Sequence, residues 1–371
     1  MPGAGLFRLI VAALLVLAAP ASAQAPAAGP DDIFTVADVA VDVTDATATQ
    51  ARERALLDGQ RQAFQRLTQR LAADANARVP RLDETTLLAL VRSIDVANER
   101  TSAVRYLATL TVRFSPAAVR EVLTSAGIAF TEIKARPVLL IPVYVAGGIT
   151  VLFDDRNPWR EAWTQRPARD TLMPIVVPLG DLRDLTDLDA RRAIAGDRTK
   201  LDALARRHNA VDTAVAIANL SLDPVTSKPN VALTVTRHTA TGDQTLVDSF
   251  TGEANDRGEV LLARAVDWVE RELERLWKEE NAIGPGQDER YITMTVPISS
   301  LAEWTEIRRR LSGIGLVRKT DVLQVTRQEG RITITYVGEA AQLRSALAQR
   351  ELELVEGTGE VVLRLSGRVG R

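Results

Sequence analysis

From Ile33 to Val43 ("IFTVADVAVDV") apolar and polar side chains alternate, with Val39, Val41 and Val43 set against Asp38, Ala40 and Asp42. A period of two places every second side chain on one face of a strand, so this stretch predicts a strand buried on one side. The period then lengthens to four. Ala51, Ala55, Gly59, Ala63, Leu67 and Leu71 form the seam of a long helix that Thr47 or Thr49 can cap. Small residues on that seam let the helix backbone approach a sheet closely. Gly59 costs about 1 kcal/mol against alanine inside a helix and so marks a tight contact. A second helix is expected near Glu84–Ile94, after Pro80, and a strand at 105–114. At 115–127 Ser115, Pro116 and Gly127 stand where a helix takes its cap, its first residue and its stop. Residues 33–133 therefore read as an α+β N-terminal unit with a mixed sheet.

The pattern changes at "RPVLLIPVYV" (136–145), an apolar run without alternation, as expected of a strand buried on both faces. Gly147 and Gly148 allow a tight reversal into a short strand at 149–153. "LMPIVVPLG" (172–180) predicts another buried strand. A helix at 199–209 precedes three strands at 210–222, 230–238 and 244–250. A long helix from about Glu259 to Asn281 follows, with Leu262, Val266, Val269, Leu273 and Leu276 on its buried face. Strands alternating with helices imply an α/β middle domain, 134–282, whose mixed sheet is covered by helices.

"IGPGQDE" (283–289) reads as a linker. Beyond it, strand, helix, two strands meeting at a turn at Glu329-Gly330, helix and final strands give the order of a ferredoxin-like split βαβ domain, 290–371. Ser300 and Glu303 have capping-box spacing at its first helix.

Composition narrows the setting. The chain has 371 residues, a formal net charge of −2 and no cysteine, which excludes disulfides and thiolate metal sites. Arg8 precedes an apolar run from Leu9 to Ala19, then Pro20 and Ala21-Ser22-Ala23. This is the order of a secretory signal, with cleavage expected after Ala23 and a flexible segment at 24–32. The run is shorter than the roughly 20 residues a membrane-spanning helix needs, and no later segment reaches that length. A periplasmic location is therefore expected. Charges are well mixed and no basic block is suited to a phosphate backbone, so nucleic acid is not an expected partner. Five of the 46 basic residues are lysine; the arginine excess reads as a genomic bias.

The signal, "ATQARERALLDGQRQAF", "RPVLLIPVY", "NPWREAW" leading into "MPIVVPLGDLRD", "SLAEWTEIRRRL" and "ITYVGEAAQLRSALAQRELEL" together resemble a family of secreted Gram-negative proteins without an established activity. The first two units are more weakly similar to envelope assembly modules of the curli-secretion and Tol type. The resemblance implies a compartment and an architecture. It implies no catalytic residues.

Candidate chemistry is sparse. His208 ends a helix and His238 ends a strand, neither with a helix-spaced partner of the HExxH kind. No G-x-S-x-G, phosphate loop or dinucleotide fingerprint occurs. No cofactor and no metal site are implied. Asp154, Asp155 and Arg156 follow one strand end, and Asp181 and Asp184 follow another. If those strands are neighbours, these residues would share a cleft with Trp159 and Trp163, a combination suited to sugar rings. Against this, Asn157 and Pro158 begin a helix on which Trp159 and Trp163, four apart, share one face toward the sheet, while Asp181 and Asp187 are placed to cap helices.

The leading expectation is a non-enzymatic periplasmic interaction or scaffold protein with an envelope protein partner, which could add a strand to a sheet edge of the first or third unit. The alternatives are a glycan or small-ligand binding protein and, behind it, an unrecognised hydrolase.

Overall fold

A computed structural model of the chain describes residues 33–154, 156–239, 242–253, 256–284, 287–356 and 360–366. The expected signal and the segment at 24–32 lie outside these residues, as do Asp155, Pro285, Gly286 and the last five residues. Among the described residues the chain builds an α+β architecture around three sheets.

The first sheet has the order β1-β3-β2, with β1 at Thr35–Thr44, β2 at Val91–Thr101 and β3 at Arg105–Phe114. Both pairings are antiparallel, so this sheet is simpler than the mixed one expected. In β1, Asp38 takes φ 54°, where aspartate is tolerated, and the register breaks between Val36 and Val39. Helix α1 (Ala48–Leu71) is capped by Thr47, whose hydroxyl accepts from the Gln50 amide at 3.2 Å. All six seam residues are buried. A methyl group on Gly59 would overlap Leu110 of β3 and come within 2.9 Å of Val41 Cγ1 of β1. Helix α2 (Glu84–Leu90) stops four residues short of expectation, because Val91–Ile94 belong to β2. Most of β2 is exposed, and its lateral pairing with β3 defines it, a signal absent from its own pattern. Helix α3 (Pro116–Ser125) starts at Ser115 and Pro116 as punctuated, although the Ser115 hydroxyl makes no cap bond.

The second sheet runs β5-β4-β7-β8-β9, with β6 also beside β4. The strands are β4 (Val138–Ala146), β5 (Ile149–Val151), β6 (Ile175–Val176), β7 (Asp212–Leu222), β8 (Pro229–Thr239) and β9 (Gly242–Thr251). Strand β4 is parallel to β6 and β7, and the other pairings are antiparallel. Gly147 (φ 56°) and Gly148 (φ 78°) make the predicted reversal. The expected strand at 172–180 shrinks to two residues, since Pro174 and Pro178 flank it and lack the amide hydrogen a ladder needs.

Helices cover both faces of this sheet. Leu140 packs into a core with α4 (Pro158–Gln165) and α8 (Gly258–Asn281). Leu139, Ile141 and Val143 pack on the other side with α6 (Ala190–Ile194) and α7 (Arg198–Arg207). The short α5 (Leu182–Asp187) contacts α7. On α8, Trp277 is buried while Leu276 stays half-buried.

The third sheet has the order β11-β12-β10-β14-β13. Its elements are β10 (Glu289–Pro297), α9 (Leu301–Ser312), β11 (Val317–Val325), β12 (Glu329–Val337), α10 (Ala340–Gln349), β13 (Leu352–Glu356) and β14 (Val361–Leu365). The first split βαβ half is as expected, with β12 between β10 and β11. In the second half α10 delivers the chain to β13 at the outer edge, and β14 turns back to lie parallel to β10. A final hairpin thus replaces the single last strand of the ferredoxin-like pattern. The β11–β12 hairpin closes at Thr326–Glu329 rather than at Glu329-Gly330, through a Thr326 amide to Glu329 carbonyl bond of 2.8 Å. Gly330 lies within β12, where a Cβ would sit 2.5 Å from Trp304 Cζ3. The Ser300 hydroxyl caps α9, but Glu303 accepts from Ser299 instead of closing a box.

The expected linker begins inside a joint. Phe130 pairs with both Ala72 and Ile283, which are all buried. Lys278 Nζ donates to the Gln69 carbonyl at 2.9 Å, and Gln342 of α10 donates to the Ala282 carbonyl at 2.8 Å. The end of α8 therefore touches all three units.

Gly59→Ala should lower stability on denaturant unfolding. Overpacking costs about 1–3 kcal/mol, which outweighs the gain of about 1 kcal/mol in helix propensity.

Candidate functional site

The stretch holding both candidate tryptophans folds as a capped helix. Asn157 Oδ1 accepts from the Arg160 amide at 3.0 Å, while its Nδ2 donates to the carbonyls of Pro142 (3.1 Å) and Leu152 (2.6 Å). Pro158 occupies the first turn. Trp159 and Trp163 are both 0% exposed, with ring centroids 5.5 Å apart in an edge-on arrangement. Trp159 Nε1 donates to the Ala216 carbonyl at 3.0 Å. Ala214, Ala216 and Ala218 line the same core, and such short side chains on β7 leave room for indoles. The Arg166 guanidinium lies 5.3 Å from the Trp163 ring centre and donates to Glu270 at 2.9 Å. Neither indole presents a face to solvent.

The two acidic loops are neighbours, joined by Arg160. Its guanidinium donates to the carbonyls of Phe153 (3.0 Å), Leu179 (3.4 Å) and Asp154 (3.4 Å). Gly180, at φ 75°, admits it, since a Cβ there would lie 2.6 Å from Arg160 Nη1. The carboxylates are directed to backbone amides. Asp154 is exposed and accepts from the Leu152 amide at 3.1 Å; Arg156 is exposed. Asp181 caps α5, and backbone amides of Asp184 and Arg183 hold its carboxyl below the ordinary aspartate value. Asp184 is buried, completes the capping box, accepts from the Gly180 amide at 3.0 Å and pairs with Arg207. Asp187 also pairs with Arg207, and Asp189 rather than Asp187 caps α6.

Both histidines have carboxylate partners that sequence spacing did not show. His208 Nε2 is 3.1 Å from Asp184, on a different helix. His238 Nδ1 is 2.9 Å from Asp243, which faces it across the β8–β9 ladder. Only the hairpin register could have signalled the second pair. Beside it, buried Arg237 donates to Asp212 at 2.8 Å and to Glu280 at 3.1 Å. Burial pushes the Asp212 carboxyl above its ordinary value, against the pull of Arg237. Among the described residues no three His, Asp or Glu side chains are grouped to hold a metal ion.

A further concavity lies elsewhere. Two adjoining cavities of about 520 and 700 Å³ run between α1 and α8, along the segment after α4. Lys134, Arg169, Asp170 and Glu274 line both. Their walls are ion pairs: Arg70 with Asp170, Arg166 and Arg169 with Glu270, and Lys278 with Glu274. Carboxylates so engaged are suited to joining elements.

No family model and no curated protein matches the chain, so the family resemblance rests on its quoted segments alone. Among solved structures, lipoprotein GNA1162 from Neisseria meningitidis is similar at 14% identity and a TM-score of 0.25, over 37% of this chain and 95% of that one. So slight a likeness establishes neither fold nor role. No helix among the described residues is long and apolar enough to cross a membrane.

Trp159→Ala should lose about 3–5 kcal/mol of folding stability in urea, and Trp159→Phe, which strips the Ala216 carbonyl of its donor, about 1–3 kcal/mol. The exposed Asp154→Asn should stay within about 0.5 kcal/mol.

Asp212 also makes a signed prediction. Its raised folded pKa means that the folded state binds the proton more tightly, so its contribution to stability falls as pH rises through the window above 3.8. Relative to Asp212→Asn, the native chain should gain stability between neutral pH and about 4, measured by denaturation at a series of pH values.

Proposed function

We propose that this chain is a non-enzymatic interaction protein of the bacterial cell envelope, located in the periplasm, which holds an extended segment of a partner protein by strand addition. The signal-like order of residues 8–23 supports the compartment. The observation that carries the binding mode is strand β9. It pairs with β8 without a register break from Asn230–Thr251 to Thr239–Gly242, and its outer edge meets no other strand among the described residues.

The other long edges differ in a way that matters. Strand β2 breaks register between Ala97 and Arg100, with Asn98 at φ 54°, and β11 breaks between Val322 and Gln324. Strand β1 carries the break at Asp38. Bulges of this kind protect an edge from further pairing. Strand β9 has no bulge and no proline, and it exposes 71% of Val247. An incoming strand would gain backbone hydrogen bonds along ten residues. The expected edge therefore moves from the outer units to the middle sheet.

A photoreactive side chain at Val247 should give discrete adducts in envelope extracts, and Thr245→Lys with Val247→Lys should suppress partner binding without unfolding the chain. Adducts formed only from other surfaces would move the contact off β9; none from any surface would overturn the scaffold reading.

A further inference from the structure

A third cavity, of about 460 Å³, separates the first and third units. Arg92, Ser115 and Arg120 line it from one side, Ser312 and Arg318 from the other, and Glu132 lies at the joint. The guanidiniums of Arg120 and Arg318 share the cavity with the Glu132 carboxylate. That carboxylate is already engaged: Arg120 Nε and Nη2 donate to its two oxygens at 2.6 and 2.7 Å. Gly315 lets the opposing loop close on it, since a Cβ there would come within 2.7 Å of Glu132 Oε2.

Arg318 is different. Among the described residues its guanidinium donates to one acceptor, the Gly315 carbonyl at 3.2 Å, which leaves most of its five N–H donors to solvent in the cavity. Burial lowers its pKa and the like charge of Arg120 adds to this, while the pull of Glu132, stronger than that push, and of Glu289 opposes it. An anion there would meet the donors that Arg318 leaves open. The Ser115 hydroxyl, which does not cap α3, stands on the same wall.

We infer that this cavity is a binding site for a phosphate monoester, with Arg318 as the principal ligand and Arg120 and Ser115 beside it. An anion suits a lining in which the guanidiniums of Arg120 and Arg318 outnumber the carboxylate of Glu132. Phosphate oxygens suit the planar fork of arginine, and the volume leaves room for a small organic group beyond the phosphate. The site is a small-ligand site, separate from the strand-addition edge on β9. Because its walls come from two units, a bound phosphate would also tie β11 to α3.

Titration calorimetry on the full chain with glycerol phosphate and inorganic phosphate, and sedimentation with vesicles containing phosphatidic acid, test this. Saturable binding of glycerol phosphate supports a soluble ligand, and vesicle binding alone supports a lipid headgroup of the same chemistry. In either case Arg318→Ala should weaken binding about tenfold or more, with Arg318→Lys intermediate and Arg364→Ala without effect. Arg318→Ala removes one weak hydrogen bond, so an unchanged circular dichroism spectrum and melting temperature are expected. No binding of any of the three probes, or equal binding by Arg318→Ala, would overturn the site.

Discussion

Backbone pairing at Phe130 holds the chain together. Its amide donates to the Ile283 carbonyl at 3.1 Å and its carbonyl accepts from the Ile283 amide at 2.7 Å, while Thr131 donates to Leu71 and Ala73 to Ala129. Three chain ends meet there: the exit of α1, the exit of α3 and the exit of α8. Buried amides and carbonyls are costly to leave unpaired, so these exits are constrained to lie side by side. The orientation of α1 against α8 follows from that, and with it the ion-paired cleft between them. The end of α8 then places α10, because Ser345 bonds the Asn281 side chain and Gln342 the Ala282 carbonyl. The core of the middle sheet continues into the third unit without a gap.

Arginine recurs at these seams in an unusual duty. Arg70 donates to the carbonyls of Ile33 and Thr35, Arg160 to those of Phe153 and Leu179, and Arg166 to those of Trp163 and Ile175. A guanidinium satisfies several irregular carbonyls at once, which lysine with its compact charge does less well. A composition that looks like bias in the sequence becomes, in three dimensions, a means of fastening loops and strand ends. The carboxylates near strand ends serve the same end by taking up helix amides at Asp181, Asp184 and Asp189.

Much of the candidate site was legible one segment at a time. Asn157, Pro158 and the i,i+4 tryptophans specify a capped helix with one aromatic face, because those signals act within one or two turns. That the two acidic loops would adjoin was a conditional statement, and Arg160 shows why it could not be more: its acceptors come from Phe153 and Leu179, on separate loops. The histidine partners were illegible for the same reason. His208 meets a residue 24 positions away and His238 a residue across a hairpin.

By itself the sequence determined the long helices with their buried seams, the doubly buried β4, the tight packing demanded of Gly59 and the absence of cysteine chemistry. These depend on period, capping and residue size, which are local. Tertiary structure alone decided that Val91–Thr101 is a strand, that β14 slots between β10 and β13, that Gly330 serves Trp304 rather than a turn, and which sheet edge stays open. Each of those depends on lateral hydrogen bonds or on space shared between segments far apart in the chain, and no periodicity within a single segment records a neighbour.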